Sequence, residues 1–544
     1  MRKFVFASVG IAALAVALPA SSGAQQQQPD GRNLSTAGGM GAAASDTPEM
    51  RATRCENAVE QMTRGPVEIT SAQVVPAGPA AAGPGQPSVM LPEHCLIDGR
   101  INRREGFGGV EYAIGFQLAL PLEWNGRYLL QGGGGLNGSV RPAFGPVAAG
   151  DNPALARGFA VASHDSGHQG VVFDNSFYAD QRAALDFAET SVLTVTQYTR
   201  AITARFYGRP AHHSYFTGCS TGGREGMLAS QRYPELFDGI IIGAPAMRPG
   251  HSNLGIEWSQ AMLNRTLPAG EAGPAGFDET ERSAILNEVL NQCDARDGVN
   301  DGMIANVAAC RDFDATALLC RPGQDDGLCL SPGKVEALQL AFRGPTDAGG
   351  RPMYVPIPWD TGIVHTGPGL PGYLPSGQPS PFGPATTARD IDIDARLHDL
   401  QWDAVGRLTD TAYWTNLSTY LGHEGKLIYF HGVSDPWFSA FDTLDYFHRA
   451  RAANGAELWD RSAQFYMVPG MMHCSGGNAF DSFDMLGPMV DWVENGEAPA
   501  SISAGTGDPE VPLSMPLCPW PSYAHYTGGD QMVESSYECR TPLS

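Results

Sequence analysis

The chain has 544 residues, 42% hydrophobic and 17% charged, which excludes a wholly disordered protein and leaves room for a large core domain with a substantial insertion. Its formal charge of −23 excludes nucleic acid as a natural partner and disfavours strongly anionic ligands. After the N-terminal stretch, no segment is long and apolar enough to span a bilayer.

Arg2 and Lys3 precede an apolar run from Phe4 to Leu18, and the small residues Ser22, Gly23 and Ala24 follow. This reads as a signal peptide, residues 1–24. Cleavage after Ala24 removes two cations and no acid, so the mature charge becomes −23 − 2 = −25. The expected destination is the periplasm or the exterior, with no membrane association after cleavage. Residues 25–47 are rich in Gln, Gly, Ala and Ser and read as a disordered leader. Pro76 to Pro87 reads as a surface loop. Residues 48–246 alternate strand and helix. Tyr112 to Leu120, Arg127 to Gln131 and Phe159 to Ser163 are strand-like, and Gln181 to Ala204 has helical spacing. Strand Ser214 to Thr217, helix Arg224 to Arg232 and strand Gly239 to Ile242 follow. That alternation predicts an α/β fold with a mainly parallel sheet. Residues 247–415, rich in Pro, Gly, Asp and aromatics, lose the alternation and read as an inserted lid. The α/β pattern resumes in 416–544, with strand Lys426 to His431, helix Phe441 to Asn454, strand Gln464 to Val468 and a Pro-rich tail.

Gly218-Cys219-Ser220-Thr221-Gly222 fits G-x-S-x-G between a strand and a helix. This reads as the nucleophile turn of an α/β hydrolase, in which side chains two residues either side of the serine would clash, the alternative being a Gly-rich turn whose serine only caps the helix. Ser220 then lies at a helix N-terminus, where the Thr221 N–H can donate to a developing oxyanion. A second donor is expected from the Gly132–Gly135 run, with Gly133 and Gly134 as candidates. In this fold the acid and then the histidine follow the serine. Asp435 stands just past strand Lys426 to His431, and His473 in a Gly-bearing loop past strand Gln464 to Val468. Asp435 would hold His473 in the tautomer that accepts the Ser220 proton. Asp442 and Asp445 look helical and fit less well. His431 reads as a core residue. His164 and His168 precede the serine and break the order, and a metal role for them is the minor alternative.

The ten cysteines behind a signal peptide read as disulfides. Short separations favour Cys55–Cys95, Cys293–Cys310, Cys320–Cys329 and Cys518–Cys539. Cys219 and Cys474 remain, one directly before Ser220 and one directly after His473, and a bridge between them would staple the two loops.

Cys219-Ser220, a distant Asp435 and His473-Cys474 together resemble the tannase/feruloyl esterase family, which includes mono(2-hydroxyethyl) terephthalate hydrolase. The likeness also rests on Trp124-Asn125-Gly126-Arg127, Gly218 to Arg224, His431-Gly432, Pro469-Gly470-Met471 and Leu517-Cys518-Pro519. Met472 stands where many members carry Gly. The resemblance implies an α/β-hydrolase core with a large inserted lid, five disulfides in the pairing above, and cleavage of feruloyl, galloyl or terephthalate-type esters. It also implies a structural calcium ion held by the side chains of Asp294, Asp297 and Asp301 and the carbonyls of Val299 and Met303. Three carboxylates in one Gly-bearing loop repel one another without a cation, and oxygen-only ligands select calcium. A small aromatic ester is the expected partner and a monomer the expected state. A peptidase or acyltransferase using the same triad, and a non-catalytic calcium-stabilised binding protein, are the alternatives.

Overall fold

A computed structural model describes residues 46–81, 88–271, 276–324, 327–364, 387–506 and 513–542. All of them belong to one unit, Asp46–Ser544. The segment expected as a signal peptide lies outside the described residues. So does nearly all of the expected leader, but its last two residues are ordered. Asp46 pairs with Arg51 and Arg54, and Thr47 caps the helix Pro48–Glu56.

Nine strands form the central sheet: β1 Val67–Val75, β2 His94–Glu105, β3 Glu111–Pro121, β4 Arg127–Gln131, β5 Ala160–His164, β6 His213–Cys219, β7 Gly239–Gly243, β8 Lys426–Gly432 and β9 Ala463–Val468. Their order is β1-β2-β3-β5-β4-β6-β7-β8-β9. The first four neighbours pair antiparallel, and the six strands from β5 to β9 run parallel. This is a mixed α/β architecture with a large, mostly parallel sheet, consistent with an α/β hydrolase.

Eight helices matter for the site: α1 Ser191–Tyr207, α2 Thr221–Arg232, α3 Pro249–Leu263, α4 Glu279–Cys293, α5 Pro332–Arg343, α6 Ile393–Trp402, α7 Ala440–Asn454 and α8 Leu486–Asn495. Strand side chains alternate between faces with period two. Tyr128, Leu130, Phe216, Ile240, Ile242, Leu427 and Tyr429 face one apolar cluster with Val195 of α1, Met227 of α2 and Leu444 of α7. Leu129, Tyr215, Ile241, Ile428 and Phe430 face the other with Met489 and Trp492 of α8. Each such side chain removed from water contributes roughly 1.5–3 kcal/mol.

The helix expected over Gln181 to Ala204 is interrupted. Residues Asp186–Thr190 form a π turn before α1 begins. The cause lies outside the segment. The fully buried Arg224 guanidinium donates to the Ala188 and Phe187 carbonyls at 2.8 and 2.9 Å and sits over the Phe187 ring. A widened turn releases carbonyls for such a donor. Of the stretch expected as a surface loop from Pro76 to Pro87, residues 82–87 lie outside the described residues, and the part before them departs from its reading. Gly78–Ala81 pairs with Ser88–Leu91 as a short antiparallel ribbon, where Pro is tolerated because the edge needs no donor.

Between β7 and β8 the chain leaves the sheet. Leu254 and Trp258 of α3, Ile285 of α4, Leu338 and Phe342 of α5 and Ile393 of α6 form a third apolar cluster, whose buried members among the described residues lie between 254 and 393. Asp278 and Glu281 start α4 with a reciprocal capping box. Arg248, at the entry to α3, forms a paired ion contact with Asp442 of α7, with Nε to Oδ2 at 3.0 Å.

All ten cysteines are paired: Cys55–Cys95, Cys219–Cys474, Cys293–Cys310, Cys320–Cys329 and Cys518–Cys539. Cys219–Cys474 spans 255 residues and Cys320–Cys329 only 9. Loop-closure entropy makes the long bridge worth roughly 5 kcal/mol against about 2.5 for the short one. Replacing Cys219 and Cys474 together by Ser should therefore lower the urea-derived unfolding free energy more than the same change at Cys320 and Cys329. An equal or smaller loss from the long bridge would contradict this ranking.

Candidate active site

The site lies at the carboxyl edge of the parallel strands, where the loops after β4, β6, β8 and β9 meet. β6 ends in Cys219, and Ser220 follows at φ 64°, ψ −121°, a conformation that L-residues adopt only under constraint. The constraint is visible. The Ser220 N–H donates to the Gly243 carbonyl, and the Ser220 carbonyl accepts from the Arg224 and Ala246 N–H groups, all at 3.0 Å. A Cβ at Gly218 would lie 2.6 Å from the Gly222 backbone, and one at Gly222 would lie 2.7 Å from the Gly133 carbonyl oxygen. Both flanking positions thus demand glycine. Thr221 opens α2, so its N–H lacks an intrahelical partner.

The two candidate oxyanion glycines separate. The Gly133 N–H donates to Glu225 Oε2 at 2.9 Å and is already engaged. The Gly134 N–H has no hydrogen bond among the described residues. The pairing of Gly133 with a carboxylate on α2 is a tertiary contact that no local pattern announces.

Asp435 is fully buried in the turn after β8. Its Oδ1 accepts the Trp437 and Phe438 N–H groups at 2.9 and 3.1 Å, and its Oδ2 accepts His473 Nδ1–H at 2.7 Å. Burial would raise this carboxyl, but the facing His473, the His431 hydrogen bond and the His473 hydrogen bond hold it well below the usual carboxylate range. With its proton on Nδ1, His473 leaves Nε2 as the unprotonated nitrogen. That atom is buried and has no hydrogen-bond partner. The Cys219–Cys474 bridge, with Cα atoms 6.0 Å apart, ties the residue before Ser220 to the residue after His473.

His431 does more than fill the core. Its Nε2 lies 3.0 Å from the Phe438 carbonyl and 3.2 Å from Asp435 Oδ2. Since the carbonyl can only accept, Nε2 carries the proton, and Nδ1 accepts from Thr443 Oγ1 at 2.8 Å. Asp435 therefore has two histidine partners. Spacing held the signal, since His431 and Asp435 are four residues apart across a strand end. Asp442 is occupied by Arg248 and Asp445 by Arg449. His164 Nε2 faces Glu225 at 3.6 Å, and His168 stacks on Phe177 at 3.6 Å. Among the described residues, no three His, Cys, Asp or Glu side chains converge tightly enough to share an ion.

Among the aromatics of residues 247–415 that could stack on a substrate ring, Trp359 stacks on Phe342 at 3.7 Å and packs against the insertion's own core. Phe382 lies outside the described residues, and Tyr413 and Trp414 are exposed. Trp437, unread in the sequence, has its ring 4.7 Å from His473.

In the acidic loop, Asp294 accepts the Gly302 N–H at 3.0 Å, Asp297 the Ala305 N–H at 2.9 Å and Asp301 the Met303 N–H at 3.0 Å. Asp301 also accepts the Tyr537 hydroxyl at 3.3 Å, which joins the loop to the C-terminal tail. Burial pushes Asp297 up to about 8, and the Asp301 and Asp294 charges add to the rise. No Lys or Arg pairs with these three carboxylates among the described residues, and Arg296 of the same loop pairs with Asp312 instead. The donor set is oxygen-only, the chemistry a hard divalent cation prefers, but Asp294, Asp297 and Asp301 do not converge tightly enough here to form a ready-made ion site.

The family model described as tannase and feruloyl esterase matches residues 105–366 and 386–540. A mono(2-hydroxyethyl) terephthalate hydrolase of Piscinibacter sakaiensis is 36% identical over 537 residues, covering 86% of this chain and 87% of its own. A probable feruloyl esterase B-2 of Aspergillus flavus is 32% identical over 432 residues, covering 73% of this chain and 79% of its own. Among solved structures, feruloyl esterase B from Aspergillus oryzae matches with a TM-score of 0.74 at 24% identity, over 90% of this chain and all of that one. With its family model matching well over half the sequence, this chain belongs to the tannase and feruloyl esterase family and is a carboxylic ester hydrolase.

Proposed function

We propose that this chain hydrolyses small aromatic esters by two-step acyl transfer, with Ser220 as nucleophile, His473 as base and Asp435 as its orienting acid. The carrying observation is His473, which donates through Nδ1 to a buried carboxylate while its Nε2 is left without a partner, not yet bonded to Ser220 Oγ, and the Cys219–Cys474 bridge ties the two flanking residues together. In this reading Ser220 Oγ attacks the ester carbonyl as Nε2 takes its proton. The Thr221 and Gly134 N–H groups stabilise the oxyanion. His473 then protonates the leaving alcohol, and water attacks the acyl-enzyme by the same route in reverse. The Trp437 ring beside His473 offers a flat apolar wall for an aromatic acyl or alcohol group. Residues 247–415 act as the lid that shapes the pocket. The relatives' named substrates, feruloyl and terephthalate esters, together with galloyl esters, define the acyl class. The expected signal segment and the five disulfides support work in the periplasm or outside the cell, and a monomer is the proposed state.

The mature protein is expected to turn over at least one of methyl ferulate, methyl gallate and a hydroxyethyl terephthalate, with Ser220→Ala lowering kcat by roughly 10⁴-fold or more. Failure on all three and on p-nitrophenyl acetate would contradict the esterase reading.

A calcium ion held by Asp294, Asp297 and Asp301 with the Val299 and Met303 carbonyls would supply charge balance to the acidic loop and brace it against Tyr537. Chelation should lower the thermal midpoint by several degrees, and calcium but not magnesium should restore it, since a ligand bound only to the folded state adds about 2.7 kcal/mol at a hundredfold excess over Kd. A midpoint indifferent to both treatments would rule the ion out.

A further inference from the structure

We propose that Glu225 is the positioning residue of the oxyanion loop, its carboxylate clamping the Gly133 N–H so that the neighbouring Gly134 N–H is presented to the substrate oxygen. The proposal rests on the esterase reading of Ser220. Glu225 sits on α2, the helix that begins just after the nucleophile, and lies one turn beyond Thr221. It is fully buried. Its Oε2 accepts the Gly133 N–H at 2.9 Å, and its Oε1 accepts the Ser166 hydroxyl at 3.1 Å and the Asn137 amide at 3.2 Å.

The rest of the loop is bound to the same helix. The Gly222 N–H donates to the Gly133 carbonyl at 3.0 Å, and the Thr221 hydroxyl donates to the Gly135 carbonyl. The Asn137 N–H donates to the Gly134 carbonyl at 3.0 Å. The glycine loop is therefore tied at several points to the helix that follows the nucleophile. A Cβ at Gly133 would lie 1.9 Å from the Asn137 amide nitrogen, so the close approach requires glycine.

The run Ser163-His164-Asp165-Ser166-Gly167-His168 acquires a role here. The Ser166 N–H donates to His164 Nδ1 at 3.2 Å. With Nδ1 accepting, the other ring nitrogen, Nε2, faces Glu225 Oε2 at 3.6 Å. Burial pushes the Glu225 carboxyl up, but the His164 imidazole, the Arg224 guanidinium and the Gly133 N–H bring it down to about 2, so it stays charged.

A charged carboxylate beside a forming oxyanion opposes the reaction by Coulomb's law. Its hydrogen bonds favour the reaction by fixing the donors. The two effects have opposite signs, which makes the isosteric Glu225→Gln informative. A misplaced donor should lower kcat roughly 10- to 100-fold while KM for p-nitrophenyl acetate changes less than about threefold, because an oxyanion contact exists only in the transition state. Phosphonylation of Ser220 by a fluorophosphonate, in which Oγ displaces fluoride at a tetrahedral centre, should slow in parallel. A kcat equal to or above wild type, with unchanged phosphonylation, would overturn the proposal. Should Glu225→Gln fail to fold, Asn137→Ala keeps the carboxylate and removes one of its donors. A loss of roughly three- to tenfold in kcat at constant KM then supports the proposal, and unchanged kcat overturns it. If wild-type protein is neither active nor phosphonylated at Ser220, the esterase reading itself fails and this proposal falls with it.

Discussion

Asp435 is a carboxylate with no access to water, and such a group is costly unless donors surround it. Four donors do: two backbone N–H groups on one oxygen and two histidines on the other. Meeting that demand draws the end of β8, the turn after it and the loop after β9 to one point. It also fixes the His473 tautomer, since the ring can satisfy the carboxylate only by giving it Nδ1–H. The insertion is drawn into the same knot. Asp360, also fully buried, accepts the Ser434 hydroxyl and the Gly470 N–H, both at 2.8 Å, and so bridges the acid turn and the histidine loop. The insertion is thereby bonded to both loops that carry the proposed acid and base.

The parallel sheet supplies the meeting place. Because β4, β6, β8 and β9 run the same way, the loops leaving their carboxyl ends share one edge. Order in the sheet then brings together residues more than 200 positions apart, and the Cys219–Cys474 bridge locks that neighbourhood covalently. Strain at Ser220 is tolerated because α2 is itself anchored. Arg224 reaches the carbonyls released by the π turn, and Glu225 reaches the glycine loop.

Much of this was legible from residue types alone, wherever the chemistry imposes a local pattern. Glycines at 218 and 222 are needed by the turn itself, and the Asp and His stand past recognisable strand ends. Short cysteine separations pointed to four of the five bridges, and adjacency to Ser220 and His473 singled out the fifth. The parts that stayed hidden depend on contacts between distant segments. β1 and β2 carry polar and charged residues on an exposed face and lie beside a Pro-rich stretch, so their strand character is weak in sequence. Gly133 and Gly134 look alike until Glu225 is placed between them. His431 passes for core because it is core, yet its ring also touches the acid. Trp359 and Trp437 are equally aromatic, and only packing separates the one against the insertion's core from the one beside His473.

The most direct measurement is kcat of Asp435→Asn beside wild type at neutral pH, with folding verified by circular dichroism. An amide of nearly the same shape can donate to His473 Nδ1 and so favour the wrong tautomer, leaving Nε2 protonated. If the buried carboxylate organises the site, kcat should fall by about 10⁴-fold with the fold retained. A folded Asp435→Asn protein within about tenfold of wild type would contradict the account, because an effect that small is not the loss expected from a wrong tautomer.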